Sequence, residues 1–218
     1  MTGLLIKDWM LLKRQGRYFA VALIIVCAMA FVGSESYSSF ITSYLTFMVS
    51  MFAISSFSYD EYDNGMSFLM ALPSGREDYV KAKYMFSFLL ITGGWLLGML
   101  FRVAFFLSRH SFEKYVEQLP SEPIYLFFCL IYIGLALPAL IWFGAEKGRN
   151  LIFTTLAVVT IGVFTVVKTG VGIPELKQFF MMVESSVALA LGCLAAAVLL
   201  IWFISYRVSL QIIKKKEF

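Results

Sequence analysis

The sequence predicts an all-α, polytopic membrane protein with six transmembrane helices. Of its 218 residues, 60% are apolar and only 15% are charged, whereas a soluble domain has about a quarter charged residues. A helix that crosses the bilayer needs about 20 mostly apolar residues, and uncharged runs of that kind recur along the whole chain. Because no stretch is left for a separate soluble domain, we expect a single transmembrane domain over residues 1–218.

The basic residues predict the orientation of the six spans. The apolar segments cover residues 18–32, 38–57, 84–107, 124–143, 151–167 and 185–206. One set of connections carries Lys7, Lys13, Arg14, Arg17, Arg76, Lys81, Lys83, Lys147, Arg149, Arg207, Lys214, Lys215 and Lys216. The opposite set carries only Arg109, Lys114, Lys177 and, at a helix end, Lys168. Since Lys and Arg concentrate on the cytoplasmic side, we expect both termini in the cytoplasm of a cell-membrane protein. The net charge of +4 is then a topology signal, and no basic face is left to bind nucleic acid.

The first 17 residues predict an amphipathic helix in the cytoplasmic membrane interface. At 100° per residue, one side of this helix holds Leu5, Ile6, Trp9, Met10 and Leu12. The other side holds Lys7, Asp8, Arg14 and Gln15. The apolar side would face the acyl chains and the polar side the lipid headgroups. The alternative is that the segment simply extends the first span.

The second span carries a stripe of hydroxyl side chains. At 3.6 residues per turn, one face of the helix holds Ser39, Thr42, Ser43, Thr46 and Ser50. Hydroxyl groups gain nothing from facing lipid, so the stripe should face protein or a watery path. One interpretation is close packing between helices, and the other is a substrate path or the interface with a second copy. If there is a path, we expect spans one, two and five to line it.

Arg102 is the one clear charge inside a span. A central Arg costs about 2.5–3.5 kcal/mol on insertion scales, but Arg102 lies near the outer end of the third span, so its side chain can extend to the interface. The alternative is a role in ion pairing or in the substrate path. Small residues four apart predict close helix contacts; they are Gly94 and Gly98 in the third span, and Ala188, Gly192 and Ala196 in the sixth.

The sequence contains no recognisable catalytic or ATP-binding motif. It lacks a G-x-x-x-x-G-K-[ST] phosphate loop, an H-E-x-x-H helix and a nucleophile elbow. Its cysteines, Cys27, Cys129 and Cys193, lie far apart within predicted spans, and His110 is the single histidine. We therefore expect no disulfide framework, no metal site, no cofactor and no catalytic residue in this chain.

The connection between the second and third spans, residues 59–83, is the most specific stretch. Acidic residues Asp60, Glu61 and Asp63 precede an apolar turn, which suits a short helix with acid at its positive end. That turn holds Met66, Phe68, Leu69 and Met70, and Pro73 ends it. Large apolar residues on a short helix at the membrane surface indicate a docking element, since a plain loop has no use for them.

At these residues the chain resembles the permease subunits of ABC-2 type transporters. The shared pattern is an acidic residue, a Gly, an apolar helix, Leu-Pro, a basic residue and a Lys, here Glu61, Gly65, Leu69, Leu72, Pro73, Arg76 and Lys83. The resemblance implies a coupling helix over residues 61–71 that fits a groove on a separate ATPase subunit, where ATP and Mg would bind. It assigns this coupling to Glu61, Asp63, Gly65, Met66, Phe68, Leu69, Pro73 and Arg76. It also implies a partly re-entrant outer hairpin over residues 168–184.

From this resemblance we expect an export permease that works as a pair of chains, taken to be identical, with two ATPase subunits. Within the family, the chain looks most like bacterial exporters of amphipathic or antimicrobial-type peptides, such as the phenol-soluble modulin exporter permease. The expected partners are an ATPase subunit, a second permease chain, membrane lipid and a peptide substrate. The alternative is the substrate-capture subunit of a vitamin-type importer, which would bind one small molecule tightly without its ATPases.

Overall fold

The computed structural model describes residues 2–32, 38–62, 65–71, 75–169 and 187–216, and nearly all of these residues are helical. In chain order the helices are α1 (Thr2–Arg14), α2 (Gly16–Val32), α3 (Ser38–Glu61), α4 (Gly65–Ala71), α5 (Arg76–Ser108), α6 (Phe112–Gln118), α7 (Glu122–Phe143), α8 (Ala145–Thr169) and α9 (Val187–Lys215). A 3₁₀ turn, Leu119–Ser121, joins α6 to α7. These ranges contain no strand, so the all-α prediction is confirmed for them.

Within the described ranges, 4 helices are long and apolar enough to cross a membrane. They are Ser39–Glu61, Arg76–Ser108, Phe112–Phe143 and Leu191–Lys215, which correspond to the predicted second, third, fourth and sixth spans. The predicted first and fifth spans fall within α2 and α8. The protein is therefore a multi-pass membrane protein, and the count of six spans remains a prediction. The predicted hairpin over residues 168–184 lies outside the described residues from residue 170 onward.

Helix α5 is much longer than a bilayer requires. Its 33 residues correspond to about 50 Å at 1.5 Å per residue, against about 30 Å of hydrocarbon. Its first turn carries Glu77 and Asp78, and acidic residues are favourable at the positive end of a helix. The extra turns place Tyr79 and Lys83 beside the ends of α1 and α3.

Two glycines allow α3 and α5 to pack closely. A Cβ atom at Gly98 would lie 2.9 Å from the Cα atom of Thr42, and one at Gly94 would lie 2.8 Å from the Cβ atom of Val49. Real Cβ atoms do not approach other atoms so closely, so neither position has room for a side chain as the helices stand. The predicted close contact through the small residues of the third span is confirmed.

The small residues of the sixth span behave differently. A Cβ atom at Gly192 would meet nothing within 4 Å, so Gly192 makes no close helix contact within the described part of the chain, and close packing through this stripe stays a prediction. Helix α9 packs on α5 and α7 through a face that buries Val198, Ser205 and Ser209. A spacing of four shows which residues share a face, but not which face meets a neighbour.

Pro138 lies inside α7 and is compensated by a side chain from α9. Proline has no backbone N–H, so the carbonyl of the residue four positions earlier, Gly134, loses its helical donor. The hydroxyl of Ser205 donates to that carbonyl. Tyr84 on α5 extends the link, because its hydroxyl lies 2.5 Å from Ser205 Oγ and 2.8 Å from Ser209 Oγ. Helices α5, α7 and α9 are thus joined by one hydrogen-bonded chain within the bundle.

The glycine contact between α3 and α5 can be tested by adding a single methyl group. We expect Gly98→Ala to lower the free energy of unfolding by about 1–3 kcal/mol, because the new Cβ forces the two backbones apart. Gly93→Ala is the matched control, since a Cβ at Gly93 would meet nothing within 4 Å. Thermal unfolding in detergent measures both variants, and equal melting temperatures would contradict the assigned contact.

Candidate functional site

Four charged residues meet where the middle of α1 packs against the end of α3 and the first turns of α5. Lys83 on α5 lies between two carboxylates, with its Nζ atom 3.0 Å from Asp8 Oδ1 on α1 and 2.7 Å from Asp60 Oδ2 on α3. These three side chains are each no more than 2% exposed. Lys7 on α1 forms an ion pair with the second oxygen of Asp60. We call Lys7, Asp8, Asp60 and Lys83 the ion cluster.

Neighbouring groups complete the ion cluster. The Tyr79 hydroxyl donates to Asp60 Oδ2 at 2.9 Å, and Lys83 Nζ also donates to the hydroxyl of Ser56. The ring of Phe57 lies 5.0 Å from Lys83 Nζ, within the range of a cation–π contact. The cluster contains two acidic and two basic groups, so its formal charge is zero. Burying Asp8, Asp60 and Lys83 is tolerable because each of these charges is paired, although Asp8 Oδ2 has no hydrogen-bond partner among the described residues.

The ion cluster corrects our expectation for the polar side of α1. Asp8 was expected to face lipid headgroups with the other polar residues, but it is 1% exposed and pairs with Lys83. A helical wheel of one segment cannot show a partner that lies 75 residues away. The exposed side of α1 carries Ile6, Trp9 and Met10, and these apolar residues are the ones available to the bilayer.

Glu61, the last residue of α3, caps the start of α8. Its Oε2 atom accepts a hydrogen bond from the backbone N–H of Ala145 at 2.7 Å, and a carboxylate is favourable at this positive helix end. The intervening Gly144 has φ 85°, a conformation that favours glycine. Glu61 is one of the residues expected to couple to the ATPase, and its carboxylate bonds within its own chain.

Helix α4 begins directly against the ion cluster. A Cβ atom at Gly65 would lie 2.8 Å from the backbone oxygen of Asp60, so only glycine allows this approach. Met66 is buried, and Leu69 packs partly against the main hydrophobic core. Phe68 is 70% exposed. The apolar residues of the predicted docking helix therefore divide into residues that fix it to the bundle and an exposed phenylalanine.

Two other predicted coupling residues, Asp63 and Pro73, lie outside the described residues. Arg76, at the start of α5, contacts the end of α9. Its Nη1 atom donates to the backbone oxygens of Ile213, Lys214 and Lys216, at 3.3, 3.1 and 3.2 Å. A guanidinium is well suited to this position because the last carbonyls of a helix lack internal donors and carry partial negative charge.

The hydroxyl stripe of α3 lies mainly inside the chain. Thr42, Thr46 and Ser50 are 0% exposed, and the close approach at Gly98 places Thr42 against α5. Ser39 and Ser43 are only partly buried. The described residues favour the packing interpretation for the three buried positions, while the two partly exposed serines stay available for a path or an interface.

Arg102 is paired instead of extending to the outer interface. Its guanidinium is 1% exposed, forms an ion pair with the equally buried Glu122 of α7, and donates to Gln118 and to Ser39 Oγ. The rings of Phe106 and Tyr115 lie 5.8 and 5.7 Å from the guanidinium carbon. The alternative of ion pairing is the one the structure shows. Helix α6, which the sequence analysis missed, supplies Tyr115 and Gln118.

One sequence signal could have revealed this pair. A lone acid at the start of the fourth span and a lone base near the outer end of the third lie at the same level of adjacent antiparallel helices, as Glu122 and Arg102 do.

No group of three His, Cys, Asp or Glu residues in the described ranges is placed to hold a metal ion. The carboxylates of the ion cluster are occupied by lysines.

Comparison with known proteins gives one match. The family model described as ABC-2 family transporter protein matches residues 3–214, which is almost the whole chain. No curated protein and no solved structure matches the chain.

The ion cluster can be tested by removing its central cation. We expect Lys83→Met to destabilise the protein by about 3–5 kcal/mol, because it leaves buried carboxylates without their partner. Lys81→Met is the matched control, since Lys81 is exposed on the same helix. Thermal unfolding and size-exclusion profiles in detergent measure the effect. The triple variant Lys83→Met/Asp8→Asn/Asp60→Asn should regain part of the loss, because no buried carboxylate remains. An unchanged melting temperature for Lys83→Met would contradict the assigned role.

Proposed function

This chain belongs to the ABC-2 transporter family, and from that premise we propose that it is the permease subunit of an ATP-driven exporter. The family consists of membrane subunits of ABC transporters, which generally lack an ATPase site of their own and associate with an ABC ATPase. ATP and Mg would therefore bind on a separate subunit. The observation that best supports the proposal is α4, a short helix that exposes Phe68 beside a buried ion cluster.

In this proposal α4 is the coupling helix. A phenylalanine that is 70% exposed is unfavourable in water and suited to a groove on a partner. Movement of α4 would reach the bundle through the adjoining end of α3. There, Asp60 bonds to α1 and α5, while Glu61 bonds to α8. Two consecutive residues would thus pass the displacement of one short helix to three longer ones.

The proposed orientation places α4 and the ion cluster on the cytoplasmic side of the bundle. Six spans with both termini inside follow from the distribution of basic residues, with α2 and α8 as the first and fifth spans. Helix α1 would lie in the cytoplasmic interface with Ile6, Trp9 and Met10 toward lipid. Residues 168–184 would form the re-entrant hairpin on the outer side.

We propose amphipathic or antimicrobial-type peptides as the cargo and a pair of identical chains as the transport unit. The peptide assignment is supported by the resemblance to bacterial peptide exporters in the connection that follows α3. An open apolar groove of about 370 Å³ between α3 and α7 offers a suitable surface. Its lining includes Phe40, Ser43 and Phe128, so the partly exposed edge of the hydroxyl stripe faces this groove.

Docking through Phe68 is the first test of this function. We expect the wild-type chain to co-purify with its ATPase at a ratio of one to one, and Phe68→Ala to weaken binding about ten- to a hundred-fold. A buried Phe side chain contributes about 1.5–3 kcal/mol, and 1.4 kcal/mol is a factor of ten. Leu69 is not substituted in this test. It packs partly against the core, so its replacement would affect folding as well as docking.

Phe112→Ala is the matched control, because Phe112 is also exposed but lies at the opposite end of the bundle. The measurement is the affinity of the purified ATPase subunit for the wild type, for Phe68→Ala and for Phe112→Ala. If Phe68→Ala binds as tightly as the wild type, the coupling assignment is wrong. If the wild-type chain instead binds a vitamin tightly without any ATPase, the importer-subunit alternative replaces the exporter.

The proposed pairing of two chains can be tested with cysteines in α3. In a background without native cysteines, Ser43→Cys should form disulfide-linked dimers in membranes treated with a mild oxidant, since Ser43 lies on the groove. Thr46→Cys is the matched control, because Thr46 is 0% exposed. Equal cross-linking of both variants, or of neither, would show that the hydroxyl stripe does not lie at an interface between two chains.

A further inference from the structure

We propose that the cytoplasmic ends of α7 and α9 form a binding site for an anionic phospholipid of the inner leaflet. An open groove of about 320 Å³ lies between these helix ends. Its lining comprises Trp142, Val208, Gln211, Ile212, Lys215 and Lys216. The proposal uses the membrane orientation given above, but it does not depend on the exporter function.

The residues along α9 follow the order of the parts of a phospholipid. Leu200, Ile204, Val208, Gln211 and Lys215 recur every three or four residues, so they share one side of the helix. Leu200 and Ile204 are exposed at the level of the predicted sixth span. Toward the cytoplasm they are followed by the amide of Gln211 and the ammonium of Lys215. An acyl chain, a glycerol ester and a phosphate succeed one another in the same order.

Trp142 defines the depth of the groove. It is 60% exposed at the end of α7, and exposed tryptophans are typical of the membrane–water interface, where the ring lies at the level of the headgroups. The groove therefore lies where a headgroup would be, with apolar α9 residues below it and lysines above it.

The charges around the groove favour an anion. The lining contains two lysines and no acidic residue. Lys216 Nζ donates to the backbone oxygens of Ile141 and Trp142, at 2.8 and 3.3 Å, and offsets the negative end of α7. Lys214 points elsewhere, to Glu77 at 2.7 Å. Lys215 is exposed and has no carboxylate within ion-pair distance among the described residues.

Native mass spectrometry of the purified chain can test this site. Phosphatidylglycerol and phosphatidylcholine with the same acyl chains are titrated separately, and we expect the anionic lipid to bind more tightly. Each lysine near a membrane surface contributes about five-fold to the binding of acidic lipid, so Lys215→Gln should weaken phosphatidylglycerol binding about five-fold and leave phosphatidylcholine unchanged.

Lys214→Gln is the matched control. It removes the same charge from the neighbouring residue, whose side chain faces Glu77 and not the groove. It should have less effect than Lys215→Gln, and Val208→Trp, which fills the groove, should weaken phosphatidylglycerol binding without changing charge. Equal effects of the two Lys variants would show a diffuse attraction and overturn the site. Because no ATPase is present, the result is independent of the docking tests.

Discussion

The pairing of Lys83 with Asp8 and Asp60 is the interaction on which the arrangement of α1, α3 and α5 depends. An ammonium group in an apolar interior is costly unless carboxylates surround it, and here the carboxylates come from two other helices. The positions of α1, α3 and α5 are consequently fixed relative to one another. Since Gly65 packs directly on Asp60 and Glu61 caps α8, two further helices take their positions from the same point.

Helix α5 is held by buried charge at two positions that are about one hydrocarbon thickness apart. Lys83 and Arg102 are 19 residues apart, which corresponds to about 28 Å along a helix and so to about the thickness of the hydrocarbon. Each is paired with a carboxylate from another helix. Between them, Phe86, Leu90 and Ile91 are buried in the hydrophobic core, and small residues and hydroxyl groups add close contacts, as at Gly98 and Tyr84. Such close and polar contacts are useful in a membrane, where lipid is as apolar as the side chains.

The sequence predicted the properties that depend on local periodicity. Apolar run length identified segments that are helical wherever the structure describes them, and Gly65, Met66 and Phe68 were recognised as part of a short helix after the second span. Pairing between distant residues was not predictable, because Asp8 and Lys83 each look like ordinary interfacial charges in their own segments. Arg102 differs, because the position of Glu122 at the same level of the next helix could have indicated its partner. Its full burial, however, also depends on α6, a short helix with no signal as strong as a span.

The buried position of Asp8 also has a consequence for how the protein is made. A ribosome delivers α1 to the membrane well before α5 exists, and the partner of Asp8 is 75 residues further along the chain. Until then Asp8 has no Lys83 to pair with, and its carboxylate has to stay in water, because an unpaired buried charge is costly. Only when α5 has been made does the lysine arrive that allows Asp8 to be enclosed. The docking of α1 against α5 therefore has to follow the synthesis of α5.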